Sequence, residues 1–182
     1  MMFSTSPGAP LSGAAAALRI VLAGFVYAGV LSIPLRAAES WTTYQNPRFG
    51  YTLLYPSSVF SPSRPSEDGG GEVFLTSDGR AKIVVYGALN DERFTPTEYR
   101  DTILKQFAGY DKMDYSPRGK TWFVLSGFRG DMIYYQKVMF SCSDRVINAM
   151  SITFPKAEKK FYEGLIEVME DNFKPGAGEG CR

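Results

Sequence analysis

The chemistry open to this chain is limited first by an absence: nineteen carboxylates and two cysteines are present, but no histidine. Without imidazole, the Ser–His and Cys–His nucleophile pairs and histidine-bearing metal sites are unavailable. Cys142 acting as a nucleophile would need an activating base that the sequence does not offer. No Ser-x-x-Lys occurs from Ala38 onward. The catalytic arrangement left open is a pair of carboxylates, as in glycoside hydrolysis. A carboxylate-based hydrolase is the third reading, and no catalytic residue is assigned.

Glu67, Asp68 and Glu72 surround three glycines and offer oxygen atoms of the kind that hold Ca²⁺. Their spacing departs from the EF-hand loop, and the plainer reading is a mobile, soluble loop, so no metal or cofactor is expected. Arg129-Gly130-Asp131 spells an integrin-binding tripeptide, yet Gly130-Asp131 is also what a tight hairpin requires. The remaining candidates are aromatic. Trp41, Tyr44, Phe49, Tyr51, Tyr55 and Phe60 crowd the N-terminal strands, and Tyr134 and Tyr135 are adjacent in a strand. Adjacent strand residues leave opposite faces of a sheet. If both faces are covered, both tyrosines are core. If one face is open, Tyr134 or Tyr135 joins Tyr51, Tyr55 and Phe60 in a surface suited to a protein partner.

These residues depend on elements whose compartment is set by the start of the chain. Arg19, the apolar run Ile20 to Ile33 and the exit Pro34-Leu35-Arg36-Ala37-Ala38 form a secretory signal pattern over residues 1–37. A membrane span needs about 20 apolar residues, so a cleaved leader is expected over an uncleaved inner-membrane anchor. The expected location is periplasmic or secreted. Losing Arg19 and Arg36 leaves eighteen basic against nineteen acidic side chains. That balance argues against nucleic acid, which demands a clustered positive field. In an exported chain, Cys142 and Cys181 read as a disulfide tying the Gly-rich tail, residues 175–182, to a strand.

Residues 38–174 read as one domain. Trp41 to Tyr44 and Tyr51 to Tyr55 are strands around an Asn46-to-Gly50 turn, and Ser57 to Gly71 reads as a long loop. Glu72 to Thr76 and Ala81 to Ala88 form a hairpin about Asp78-Gly79. Thr95-Pro96-Thr97-Glu98 opens a helix with a capping box, Tyr99, Ile103 and Phe107 form its buried stripe, and Gly109 ends it. After a short strand at Lys112 to Ser116, Trp122 to Phe128, Met132 to Cys142 and Val146 to Phe154 form a meander. In the last of these, Asn148 falls among apolar residues on one face and needs partners if buried. Pro155 to Phe173 reads as a helix with Phe161, Leu165, Val168, Met169 and Phe173 inward. The result is an α+β domain, a mostly antiparallel sheet with two packed helices.

Tyr44-Gln45-Asn46-Pro47-Arg48-Phe49-Gly50-Tyr51 followed by Tyr55-Pro56 resembles the opening of exported bacterial domains with the fold of Mog1 and the photosystem protein PsbP. Glu67-Asp68-Gly69-Gly70-Gly71, Phe74, Ser77-Asp78-Gly79 and Val84-Val85-Tyr86-Gly87 look like an uncharacterised domain of alphaproteobacterial envelope proteins. The resemblance covers Trp41 to Asn90 and implies a Mog1/PsbP-like sandwich, a fold used mostly by non-enzymatic adaptor or assembly modules. The expected function is a non-catalytic exported domain binding another envelope protein through the Ser57-to-Gly71 loop or an adjacent aromatic face. The alternative is a periplasmic small-ligand-binding protein with an apolar pocket between sheet and helix.

Overall fold

The structure is a computed structural model and describes residues 39–106 and 111–181. The expected leader, Phe107 and Gly109 lie outside the described residues. Among those described, no helix is long and apolar enough to cross a membrane.

The first two strands, β1 (Trp41–Gln45) and β2 (Thr52–Pro56), pair as an antiparallel hairpin of their own. The other seven are β3 (Ser61–Pro65), β4 (Gly71–Leu75), β5 (Lys82–Leu89), β6 (Lys112–Tyr115), β7 (Trp122–Arg129), β8 (Met132–Ser141) and β9 (Val146–Pro155). They form one sheet in the order β3-β4-β5-β9-β8-β7-β6, antiparallel throughout. Helix α1 (Pro96–Gln106) follows β5, and α2 (Lys159–Asp171) follows β9 after one 3₁₀ turn.

Strand alternation sends two apolar sets to opposite faces. On one face Met150, Ile152 and Phe154 of β9 pack with Ile133 and Tyr135 of β8, Leu165 and Met169 of α2, and Tyr51 and Leu53 of the β1–β2 hairpin. On the other, Ile147 and Ala149 pack with Phe123, Leu125, Val138 and Ile103 of α1. Thr95 and Glu98 build the capping box expected of α1: the Glu98 N–H donates to Thr95 Oγ1 at 3.3 Å, and the Thr95 N–H donates to Glu98 Oε2 at 2.8 Å.

Three expectations are corrected. Ser57 to Gly71 is not an open loop, because Ser61–Pro65 adds the edge strand β3 to β4 through a bulge. Pro62 and Pro65 obscured it, since proline withholds a ladder donor; an edge strand tolerates that loss. Helix α2 is rotated relative to the expected stripe. Tyr162, Leu165, Ile166 and Met169 are buried, while Val168 faces solvent and Phe161 is half-buried. Cys142 lies just beyond β8 in a turn where Cys142, Ser143 and Asp144 all have φ near +60°. It stands as a disulfide with Cys181, Cα atoms 4.9 Å apart. The tail leading to Cys181 is held: the Gly178 and Glu179 N–H groups donate to the carbonyls of Phe49 and Arg48.

Candidate functional site

The two signature stretches of the N-terminal half meet in space and fasten the β1–β2 hairpin to the main sheet. Asn46 is fully buried and turns the chain by accepting from the Arg48 and Phe49 N–H groups at 3.0 and 2.8 Å. This is the local bonding that makes asparagine a turn residue. Its amide donates to the Gly69 carbonyl at 2.9 Å, and the Tyr51 hydroxyl donates to the Gly70 carbonyl at 2.9 Å. Arg48 donates to the Asp68 carbonyl and to the Glu179 carboxylate, linking turn, hairpin and tail. Phe49 sits against Gly87, where a Cβ would approach the ring to 2.8 Å.

That arrangement assigns several candidates to structure. Tyr51, Tyr55 and Phe60 are buried in the core, so none presents a surface to a partner. Burial raises the Tyr51 phenol well above its ordinary range. Glu67, Asp68 and Glu72 do not converge: among the described residues no group of three metal-ligating side chains forms. Asp68 instead accepts from the Ser66 hydroxyl at 2.6 Å and the Gly70 N–H at 2.9 Å, which holds its carboxyl below the usual range with help from Arg48. Gly130 of the Arg129-Gly130-Asp131 stretch has φ +57° and makes the β7–β8 turn.

Tyr134 and Tyr135 leave opposite faces, as adjacent strand residues must. Tyr134 is half-buried on the α1 face in a recess of about 360 Å³, beside Tyr86, Tyr99 and Gln136. There the Tyr86 and Tyr99 hydroxyls stand 3.2 Å apart. Tyr135 is 7 % exposed and lines a second recess.

This second recess is a cleft of about 440 Å³ between α2 and the β6–β7–β8 side of the sheet. The β1–β2 hairpin packs on the same face, where Thr52 bridges Lys174 just beyond α2. Phe128, Ile133, Tyr135 and Phe154 supply aromatic and aliphatic lining from three neighbouring strands. Gly127 lets β6 close on β7, since a Cβ there would collide with the Lys112 carbonyl. At the rim Tyr115 of β6 is 56 % exposed.

Charge around the cleft is uneven. Glu163, Glu167 and Glu170 follow one another along α2, and Asp114 adds an acid from β6. The two cations are occupied: Lys156 Nζ lies 4.6 Å from the Phe128 ring centroid, and Lys159 pairs with Glu163 at 3.3 Å. Burial, helped by Asp171, pushes the Glu170 carboxyl up. Beneath it, half-buried Lys137 donates to the Glu170 carbonyl at 2.8 Å. The ligand-binding alternative expects a pocket between sheet and helix, but of this lining only Tyr135 is a candidate from sequence. Glu163, Glu167 and Glu170 read from sequence as the water-facing side of the helix.

A single antiparallel sheet with helices on both faces and a strand hairpin on one defines an α+β domain of Mog1/PsbP-like fold. Among solved structures, the chain is similar to the cyanobacterial PsbP (CyanoP) of Synechocystis sp. PCC 6803, with 14% identity and a TM-score of 0.53. That match covers 80% of this chain and 98% of the other. It is also similar to the Ran-binding protein Mog1p of Saccharomyces cerevisiae, with 13% identity and a TM-score of 0.53 over 76% and 96% of the two chains. Identities this low establish the fold alone. No protein family and no curated protein matches the sequence.

Proposed function

We infer that this chain is a non-catalytic, exported domain of the cell envelope that binds another envelope protein, with the α2–β6–β7–β8 cleft as its docking site. The observation carrying this reading is the open, aromatic-lined cleft with exposed Tyr115 at its rim. An exposed apolar surface beside a formed recess is the usual mark of a protein-docking site. The fold is compatible with an adaptor, and Mog1p is by its name a Ran-binding protein. Export is supported by the leader pattern and by the cysteine pair, since disulfides persist in oxidising compartments.

The test is a photo-crosslinking residue placed at Tyr115 in the full chain, in its own cells, with Val168 on the exposed side of α2 as the control position. A discrete protein adduct at Tyr115 but not at Val168 supports the reading, and adducts at neither position reject it. Cell fractionation and N-terminal sequencing test export, with a cut after Ala37 expected.

A small-ligand-binding role is the second reading. Its supporting observation is Tyr135, a cleft-lining residue whose buried hydroxyl has no hydrogen-bond partner among the described residues. A volume of about 440 Å³ also falls among those of small-molecule sites. Native mass spectrometry of the purified chain separates the two, because a retained small molecule favours the ligand binder.

A further inference from the structure

Resting on the protein-binding reading, we propose that the cleft takes a basic segment of its partner. An apolar side chain would seat on Phe128 and Ile133 beside Tyr115, and lysine or arginine would face the acids of α2 and β6. Glu163, Glu167 and Glu170 fall at positions i, i+4 and i+7, which a helix places along one side. All three line the cleft, and Asp114 lines it from β6.

The two lysines of the lining answer half of this charge and leave two acids in excess. Lys159 is committed to Glu163, and Lys156 lies over the Phe128 ring. Among the described residues, Asp114, Glu167 and Glu170 form no ion pair. Glu170 is also partly desolvated, so a cation brought to it would relieve an electrostatic penalty already present in the free protein. An acidic or phosphate-bearing partner would instead be repelled from the same wall.

The second, independent observation concerns the lining itself. Tyr135 is more than nine-tenths buried, yet among the described residues its hydroxyl has no partner. A buried polar atom is ordinarily paired, and this one belongs to a side chain that lines the cleft. The exposed Tyr115 ring at the rim adds an apolar seat, which a purely electrostatic patch would not supply.

The probe is a fluorescent peptide of about twelve alternating arginines and leucines, with the glutamate–leucine peptide as its control, added to the full chain and read by anisotropy. The arginine peptide should bind and the glutamate peptide should not. Glu167→Lys with Glu170→Lys should weaken the arginine peptide by about tenfold or more, as should Tyr115→Ser. Raising NaCl from about 50 to about 300 mM should weaken it as well. Should the lysine variant fail to fold, Glu167→Gln with Glu170→Gln must still weaken binding. Equal binding of the two peptides, or arginine-peptide binding indifferent to both glutamate variants, overturns the proposal. The Tyr115 crosslink separates this failure from that of the broader reading. An adduct that survives charge reversal leaves protein binding standing and removes the basic partner, whereas absence of any protein adduct removes both.

Discussion

The side-chain amide of Asn46 bonds the carbonyl of Gly69 across 23 residues of sequence, fastening the β1–β2 hairpin to the β3–β4 hairpin. Because Asn46 is buried and also accepts from two backbone N–H groups, its loss strands several polar atoms away from water. Asn46→Ala should lower the unfolding free energy by about 2–4 kcal/mol in urea titration. Arg48→Ala removes two surface ion pairs and a bond to the Asp68 carbonyl, and should cost clearly less than Asn46→Ala. Equal effects from the two substitutions would contradict this division of labour.

A methyl group should be poorly tolerated at Gly87. Its Cβ would meet the Phe49 ring at 2.8 Å, and Phe49 is fixed by the Asn46 turn behind it. Gly87→Ala is expected to destabilise by about 1–3 kcal/mol through overpacking. Combining it with Phe49→Leu should recover part of that loss. Thermal unfolding of the single and double variants decides the matter, and simple additivity would show that the two residues do not press on each other.

Much of this framework was legible before any coordinates. The capping box at Thr95 and Glu98, the Asp78-Gly79 hairpin and the three-strand meander each carry a local signal in a cap, a tight turn or strand alternation. What escaped were features decided by packing rather than by such signals. Strand β3 exists because β4 offers it an edge, against the preference of Pro62 and Pro65. Helix α2 is rotated so that Tyr162 stacks on Phe154, 4.7 Å between centroids, a contact that helical period alone does not specify. Tyr51 and Tyr55 belong to the core because the β1–β2 hairpin that carries them packs on the main sheet, which an aromatic-rich sequence does not distinguish from a binding surface. Asn148, flagged as the odd residue of β9, is buried and donates to Ser141 Oγ at 2.9 Å. Its amide oxygen has no protein partner among the described residues.

Breaking the disulfide should loosen one end of the molecule and leave the other intact. Cys142 and Cys181 close a loop of 39 residues, for which chain entropy sets an upper limit of roughly 4 kcal/mol. Cys181→Ala is expected to destabilise by less than this, because the Phe49 and Arg48 bonds still hold the tail. Hydrogen exchange should quicken at Gly178, Glu179 and Arg145 while the Val124 to Phe128 amides keep their protection. Faster exchange throughout β7 would mean that the disulfide supports the whole sheet.

Stability should fall on acidification. The carboxyls of Asp68, Asp78, Glu98 and Glu179 all lie below their ordinary range, held there by hydroxyl, backbone N–H and arginine donors. For each, the folded chain binds the proton less readily than the unfolded chain. Their contribution is therefore complete above about pH 5 and is lost as pH drops through about 4 toward the folded values. Glu170 is displaced the other way, so protonating it relieves a penalty and partly offsets the loss. Urea midpoints between pH 7 and pH 3 should decline, and Asp78→Asn should make the decline shallower, since Asp78 is the most depressed of the set. A flat profile would show that these donors do not favour the ionised forms.

The Arg48–Glu179 bond spans 131 residues, and Thr52 pairs with Lys174. A chain made from its N-terminus thus presents its opening hairpin long before the residues that lock that hairpin exist. The β5–β9 ladder imposes the same wait on the middle of the sheet, since β5 completes its pairing only when residues 146–153 arrive. The bonds that lock both regions therefore wait for residues 146–179, and pairings of such large sequence separation are slow to form.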